Sequence, residues 1–222
     1  MRYTRMAGVV GIALALAGCG YNRIQDLDEQ AEQSKSNIGV ELEARNKLIP
    51  NMVATVKGAA AFERGTYTDV ARARAGQLTQ AEQRLNQTTQ ATRAAVESKD
   101  VGQLQQAEAA QNRAIGTYLN IAVEAYPNLK ATQNFTALQD QLAESENRIA
   151  VARRDYNESV RNYNTYIRQF PQAITAKVTG AQRKTPYQAP PGSEQAPTVD
   201  FGDAGAPAPP TPPTPPAAPP AP

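Results

Sequence analysis

Histidine and tryptophan are absent from this 222-residue chain, and cysteine occurs once. Without histidine no Ser-His-Asp triad or Cys-His dyad can be assembled, and the side chain that titrates near neutrality is missing. A single cysteine excludes zinc-finger and iron–sulfur ligand sets. Oxygen-ligand metal sites stay open, but no EF-hand loop is present. Aromatics are only 6% of residues, and 23 basic side chains against 21 acidic ones give a formal charge of +2. A nucleic-acid partner calls for a basic patch, and none appears. No strand-type alternation competes with helix. What is abundant is alanine and glutamine with interspersed charges, a profile of long helices with narrow apolar seams.

The cysteine has a context. Arg2 and Arg5 precede an uncharged stretch from Met6 to Gly18, which has the n-region and h-region of an export signal. A membrane span takes about 20 residues, so a permanent transmembrane helix is the weaker reading. Leu16-Ala17-Gly18-Cys19 resembles the lipobox of bacterial lipoproteins. In such proteins the signal is cut before the cysteine, whose thiol carries a diacylglyceryl group and whose new amine is acylated. The competing reading is a secreted protein with a stray thiol, awkward in an oxidising compartment. Two or three acyl chains, palmitate among them, make a stable anchor where one binds only marginally. Gly20 stands where an aspartate favours inner-membrane retention in enteric bacteria, so by analogy the address is the outer membrane, facing the periplasm. Removing residues 1–18 removes two arginines, leaving 21 basic against 21 acidic residues.

Residues 24–64 read as one long helix. Ile24, Ala31, Ile38, Met52 and Ala59 share a heptad position, and Leu27, Ser34, Leu42, Ile49 and Val56 lie close to the complementary one. Arg45 interrupts this seam, and Pro50 predicts a kink or boundary near 46–50. Thr66 with Asp69 reads as a capping box for a second helix to about Ser98, with a poor seam of Val70, Leu78, Ala81, Leu85, Thr88, Thr92 and Ala95. Asp100 with Gln103 opens a third helix through Leu104, Ile115, Tyr118, Ala122 and Tyr126. Pro127-Asn128 marks a turn. The fourth helix runs from about 129 to 169, with Phe135, Leu142, Ile149, Tyr156, Tyr163 and Phe170 spaced by seven. Leu138, Ser145, Ala152, Ser159 and Tyr166 take the partner position, and the charged residues, Glu146 and Arg153 among them, fall off the seam. Heptads sustained over such a length predict helix-on-helix packing. The fold class is therefore all-α: an elongated antiparallel three- or four-helix bundle with long coiled-coil-like helices.

From Thr179 the composition changes. Fourteen of the 17 prolines lie between Pro186 and Pro222, which predicts a disordered, semi-extended tail. The expected organisation is a lipoprotein signal peptide at 1–18, a helical bundle at 19–178 and a Pro-rich tail at 179–222.

Three stretches resemble the LemA family of bacterial proteins. They are Leu48-Ile49-Pro50-Asn51 with the residues to Gly58, Tyr126-Pro127-Asn128 within residues 125–135, and Glu146-Asn147-Arg148 with Tyr156-Asn157 and their neighbours from 144 to 171. The likeness covers about 21–175. It implies a membrane-associated helical bundle held by its N-terminus, with no catalytic residues and no cofactor beyond the lipid on Cys19. A TPM-domain membrane protein is the candidate partner it implies. The chain departs from the family pattern at Asn46, where His or Tyr is common, and at Lys35, where Trp is common. Residues 66–98 match poorly, and the lipobox replaces the usual transmembrane helix.

Bland readings outweigh sharp ones elsewhere. The "LIPN" segment reads as a kink more readily than as a binding surface. Tyr156, Tyr163 and Tyr166 read as seam residues rather than a stacking platform. Glu144, Glu146, Asp155 and Glu158 read as a solvated face rather than a metal site or the acids of a hydrolase. The leading function is a non-enzymatic envelope lipoprotein that presents helical faces to a protein partner or to a second copy. The alternative is a coiled-coil adaptor of a transport assembly, which needs an open hairpin with flanking β-domains.

Overall fold

The computed structural model describes the backbone of residues 2–62 and 69–188 and the side chains of 20–61 and 76–188. Among the described residues five helices follow one another: α1 (Arg2–Phe62), α2 (Asp69–Ser98), α3 (Val101–Ala125), α4 (Gln133–Tyr166) and α5 (Gln172–Thr179). A 3-10 turn at Pro127–Ala131 joins α3 to α4. Among the described residues there is no strand. The Thr66 cap, the side chain of Val70 and the segment from 189 onward fall outside the described residues.

The bundle is antiparallel and elongated, as the heptads predict. At 1.5 Å per residue α4 alone is about 50 Å long. Three apolar clusters stack along the axis. At the base, Ile24 and Leu27 of α1 meet Tyr163, Ile167 and Ala176. In the middle, Ala31, Ile38 and Leu42 meet Ala95, Leu104, Ile149 and Tyr156. At the far end, Ile49, Met52 and Val56 meet Leu85, Tyr118, Tyr126, Leu129 and Phe135. Each helix contributes a stripe that no single partner covers, so the four long helices bury their apolar area only together.

The Asp100 signal acts where expected, and two others are displaced. Asp100 caps α3, its carboxylate accepting from the Gln103 N–H at 2.7 Å. α4 starts at Gln133 instead of about 129, because the 3-10 turn intervenes and Thr132 caps the helix through the Phe135 N–H. On α2 Thr89 is buried where the seam placed Thr88, and the threonines satisfy themselves: Thr89 and Thr92 donate to the carbonyls of Leu85 and Thr88 at 2.8 and 2.9 Å. Their hydroxyls are then no burden in the interior.

Several expectations need correction. Of the kink or boundary expected near 46–50, the boundary is absent, since α1 runs through Pro50. Ile49, Met52 and Val56 are buried on one face around it, and that packing outweighs one lost backbone bond. On α4, Val160 and Ile167 are buried where Ser159 and Tyr166 belong on a strict sevenfold repeat. A straight α-helix drifts about 20° per heptad, which accounts for the shift. Phe170 lies beyond the end of α4 and is 83% exposed instead of seated in the seam. The short helix α5 is not anticipated at all. The ordered chain also passes the compositional boundary at Thr179, because residues 180–188 lie against the bundle.

Tyr118 is fully buried, and its hydroxyl has no hydrogen-bond partner among the described residues. Burial, followed by the charges of Glu82 and Tyr126, pushes its phenol upward. Tyr118→Phe removes an unsatisfied polar group and keeps the ring. Thermal unfolding should show it unchanged or more stable by up to about 1 kcal/mol; a clear loss of stability would mean that the hydroxyl is bonded.

Candidate functional site

Between the far and middle apolar clusters the bundle is polar. Arg45 takes the heptad position that Ile38 and Met52 share, yet it is only 2% exposed. Its Nη1 donates to Asn112 Oδ1 at 2.5 Å and to Glu146 Oε2 at 3.2 Å, and its Nη2 donates to Gln111 Oε1 at 2.5 Å. One side chain thus ties α1 to both α3 and α4. Gln111 passes the network on, donating to Asn46 Oδ1 at 2.6 Å and to Thr89 Oγ1 at 3.3 Å. Asn46, the departure from the family pattern, is buried inside this network.

A second half adjoins it. Arg153 donates to Glu146 Oε1 at 3.2 Å and also pairs with Glu108. Glu108 accepts from the hydroxyl of Tyr187. Burial pushes the Glu108 carboxyl up to about 8, with Arg45 opposing and Glu146 adding to the rise. Burial also brings Arg153 down to about 10, and the nearby charge of Arg45 adds to that. Glu146 and Arg153 therefore do not belong to a solvated face. They are half-buried members of an ionic cluster spanning α1, α3 and α4.

Tyr187 belongs to a strap, residues 180–188, which runs antiparallel to α4. Two asparagines read its backbone. Asn157 donates to the Tyr187 carbonyl at 2.9 Å and accepts from the Tyr187 N–H at 2.7 Å. Asn164 does the same for Lys184, at 2.8 and 2.9 Å. The spacing explains the fit. Seven residues of helix rise about 10.5 Å, and three residues of extended chain span about 10 Å. Between the two clamps Tyr156 donates to the Thr185 carbonyl at 2.9 Å. Lys184 crosses to α1, reaching Glu32 at 2.6 Å and Asp28 at 3.2 Å. The sequence signal for this clamp is the repeated Tyr-Asn pair at 156–157 and 163–164: each tyrosine fills the seam and each asparagine holds the strap.

The motif residues separate by role. Ile49 and Tyr126 meet in the far apolar cluster, with Leu48 half-buried and Pro50, Asn51, Pro127 and Asn128 exposed. Glu146 serves the ionic cluster, and Tyr156 with Asn157 holds the strap. Asn147 and Arg148 face outward into a groove of about 420 Å³ between α1 and α4, together with Val40, Glu41, Glu144, Val151 and Asp155. A larger groove of about 550 Å³ lies on the other side of Val40, between α1 and the α2–α3 corner, lined by Glu32, Lys35, Glu43, Val96 and Lys99. Val40, which borders both, is 62% exposed. Among the described residues no group of three or more acidic, His or Cys side chains could hold a metal ion. The side chains of Leu16, Ala17, Gly18 and Cys19 lie outside the described residues. Gly20 is buried, and a Cβ on it would stand 3.5 Å from Thr175 Oγ1 of α5.

Magnetosome proteins MamQ 2 and MamQ 1 of Paramagnetospirillum magneticum are each 26% identical to this chain over 182 residues, 78% of it and 66% of theirs. Magnetosome protein MamQ of Magnetospirillum gryphiswaldense is 25% identical over 171 residues, 73% of this chain and 62% of its own. The chain thus spans slightly less than two thirds of the length of these relatives. The LemA family model matches residues 34–201, which takes in the ionic cluster, the groove between α1 and α4 and the strap, and the chain belongs to the LemA family.

Proposed function

We propose that this chain is a non-enzymatic adaptor of the bacterial envelope, anchored by lipid on Cys19, whose bundle faces the periplasm from the outer membrane and docks a protein partner. The observation that carries this is the outward placement of Asn147 and Arg148. Core packing explains their neighbours, whereas Arg148 bonds Glu144 on its own helix and Asn147 lines the groove beside Val40 and Val151. Arg45, Glu108, Glu146 and Arg153 are engaged with one another inside the bundle, an arrangement suited to holding shape. The groove has an apolar floor and a mildly acidic rim, with Glu41, Glu144 and Asp155 against Arg148. It suits a partner helix with an apolar stripe and a basic flank. A TPM-domain membrane protein is the candidate.

Photo-crosslinkers at Val40 and Val151 in the native host should trap one and the same envelope protein, and a crosslinker at the exposed Gln106 should not. Silence at both groove positions would end the docking reading, and adducts with the chain itself would replace the partner by a second copy. Intact mass tests the anchor: the mature species should begin at Cys19 and carry two or three acyl chains. An unmodified thiol, or Cys19→Ser protein that stays firmly in the membrane fraction, would refute it.

A further inference from the structure

We infer that α5 is a membrane-surface helix, which lays Ile174 and Val178 onto an anionic bilayer beside the N-terminal anchor. The inference rests on the proposed anchor only for the place where the bilayer begins. The described residues include six large exposed apolar side chains: Tyr21, Val40, Val151, Phe170, Ile174 and Val178. Two of these line the grooves beside α1, and the other four gather at the opposite end from the Pro127 turn, where α5 packs against α1 near Gly20 and Ile24. Ile174 and Val178 are one turn apart on α5 and are 59% and 82% exposed. The opposite side of α5 is seated, with Ala176 buried against the base cluster. Phe170, just before α5, is exposed as well.

Charge follows the same pattern. Between Arg161 and Gln188 the chain has five basic residues and no acidic one. Lys184 is engaged by Glu32 and Asp28, and Arg161 stands 3.9 Å from Glu158. Arg168, Lys177 and Arg183 are exposed. Lys177 lies next to Val178 in sequence and close in angle to Ile174. An apolar face flanked by cations has the composition of an interfacial helix, and exposed Lys and Arg are drawn to anionic headgroups.

Position decides the occupant. Gly20 directly follows the anchor cysteine and lies against Thr175 and Gln172 of α5. The uncharged stretch of residues 6–18 precedes it in the same helix. The exposed face of α5 is therefore held within one helix diameter of the point where the chain meets the membrane. A protein partner at this end would have to share that space with headgroups.

The absence of tryptophan makes the test clean. Ile174→Trp in the full chain places a sole tryptophan on the exposed face, and Thr136→Trp places one at the far end. Each variant is reconstituted with phosphatidylglycerol-rich vesicles, with and without brominated acyl chains. The Ile174→Trp emission should shift to the blue and be quenched by bromine, while that of Thr136→Trp stays solvent-like. Lys177→Gln in the Ile174→Trp background should weaken docking about fivefold, as should phosphatidylcholine vesicles to a larger extent. Flotation of the same samples reads the anchor separately. Protein that floats with a solvent-like, unquenched Ile174→Trp overturns the role of α5 and leaves the anchor standing. Quenching of a Cys19→Ser chain that no longer floats stably supports α5 apart from the anchor. A chain that neither floats nor is quenched overturns both.

Discussion

Arg45→Ala should lower the stability of the bundle by about 3–5 kcal/mol, the range for breaking a buried ion pair from one side. The arginine reaches Gln111, Asn112 and Glu146 at 2.5–3.2 Å across two helix interfaces. Removing it leaves a cavity and strands the buried Gln111 amide and the half-buried Asn112 and Glu146, each at a desolvation cost. In urea the midpoint should fall by roughly 1–3 M, with an unchanged slope. Arg45→Met keeps most of the volume and should lose less. The contrast also addresses what the cluster is for. Arg45 Nε and Arg153 Nε have no partner among the described residues, so the cluster does not fully repay its burial. Its value would then lie in register: a polar group in a heptad core penalises every alignment of α1, α3 and α4 except the one that satisfies it. A loss below about 1 kcal/mol for Arg45→Ala would contradict the network as drawn.

The apolar half of this interior was legible. Ile24, Ile38, Met52, Leu85, Phe135 and Ile149 are buried as their spacing predicts, because apolar periodicity is a local property. The polar half was not. A charged residue on a seam reads as an interruption, and a charged residue off it reads as solvated. Glu146 and Arg153 became cluster members only because Arg45 and Glu108 arrive opposite them from 101 and 45 residues away. The strap was hidden for a related reason. Residues 180–188 have no periodicity and start a proline-rich composition, and they are held by a geometric match between helix rise and extended chain that only the Tyr-Asn repeat encodes. The eight residues of α5 are too few to announce a helix by periodicity or propensity. The family likeness, placed at 21–175, stopped short of the strap that the match to residue 201 includes.

The strap and the cluster share Glu108, and this makes the fold sensitive to pH. Its carboxyl is pushed by burial from 4.5 up to about 8 in the folded chain. Between these values the native state keeps a proton that the unfolded chain releases. A raised native pKa gives a contribution that is complete below the unfolded value and is lost as pH climbs through the native one. Stability should therefore fall as pH rises from about 4.5 to 8, by at most about 4 kcal/mol, with Arg153 and Arg45 limiting the loss by pairing with the new charge. Glu108→Gln keeps the shape and cannot titrate, so its stability should be level across that window. An undiminished slope in Glu108→Gln would assign the pH dependence to other groups. Tyr187 reports the same linkage from the strap. Tyr187→Phe loses one donor to Glu108 and should cost about 1–2 kcal/mol. Tyr187→Ala also empties an aromatic site, costs about 3–5 kcal/mol and should free the strap. Hydrogen exchange at the Lys184 and Tyr187 amides, protected by Asn164 and Asn157, should rise in Tyr187→Ala at any pH and in the unmodified chain as pH climbs from about 4.5 to 8 and level off above it, after correction for intrinsic exchange. Exchange at these amides that stays slow in Tyr187→Ala would mean that the asparagine clamps hold the strap without the ring.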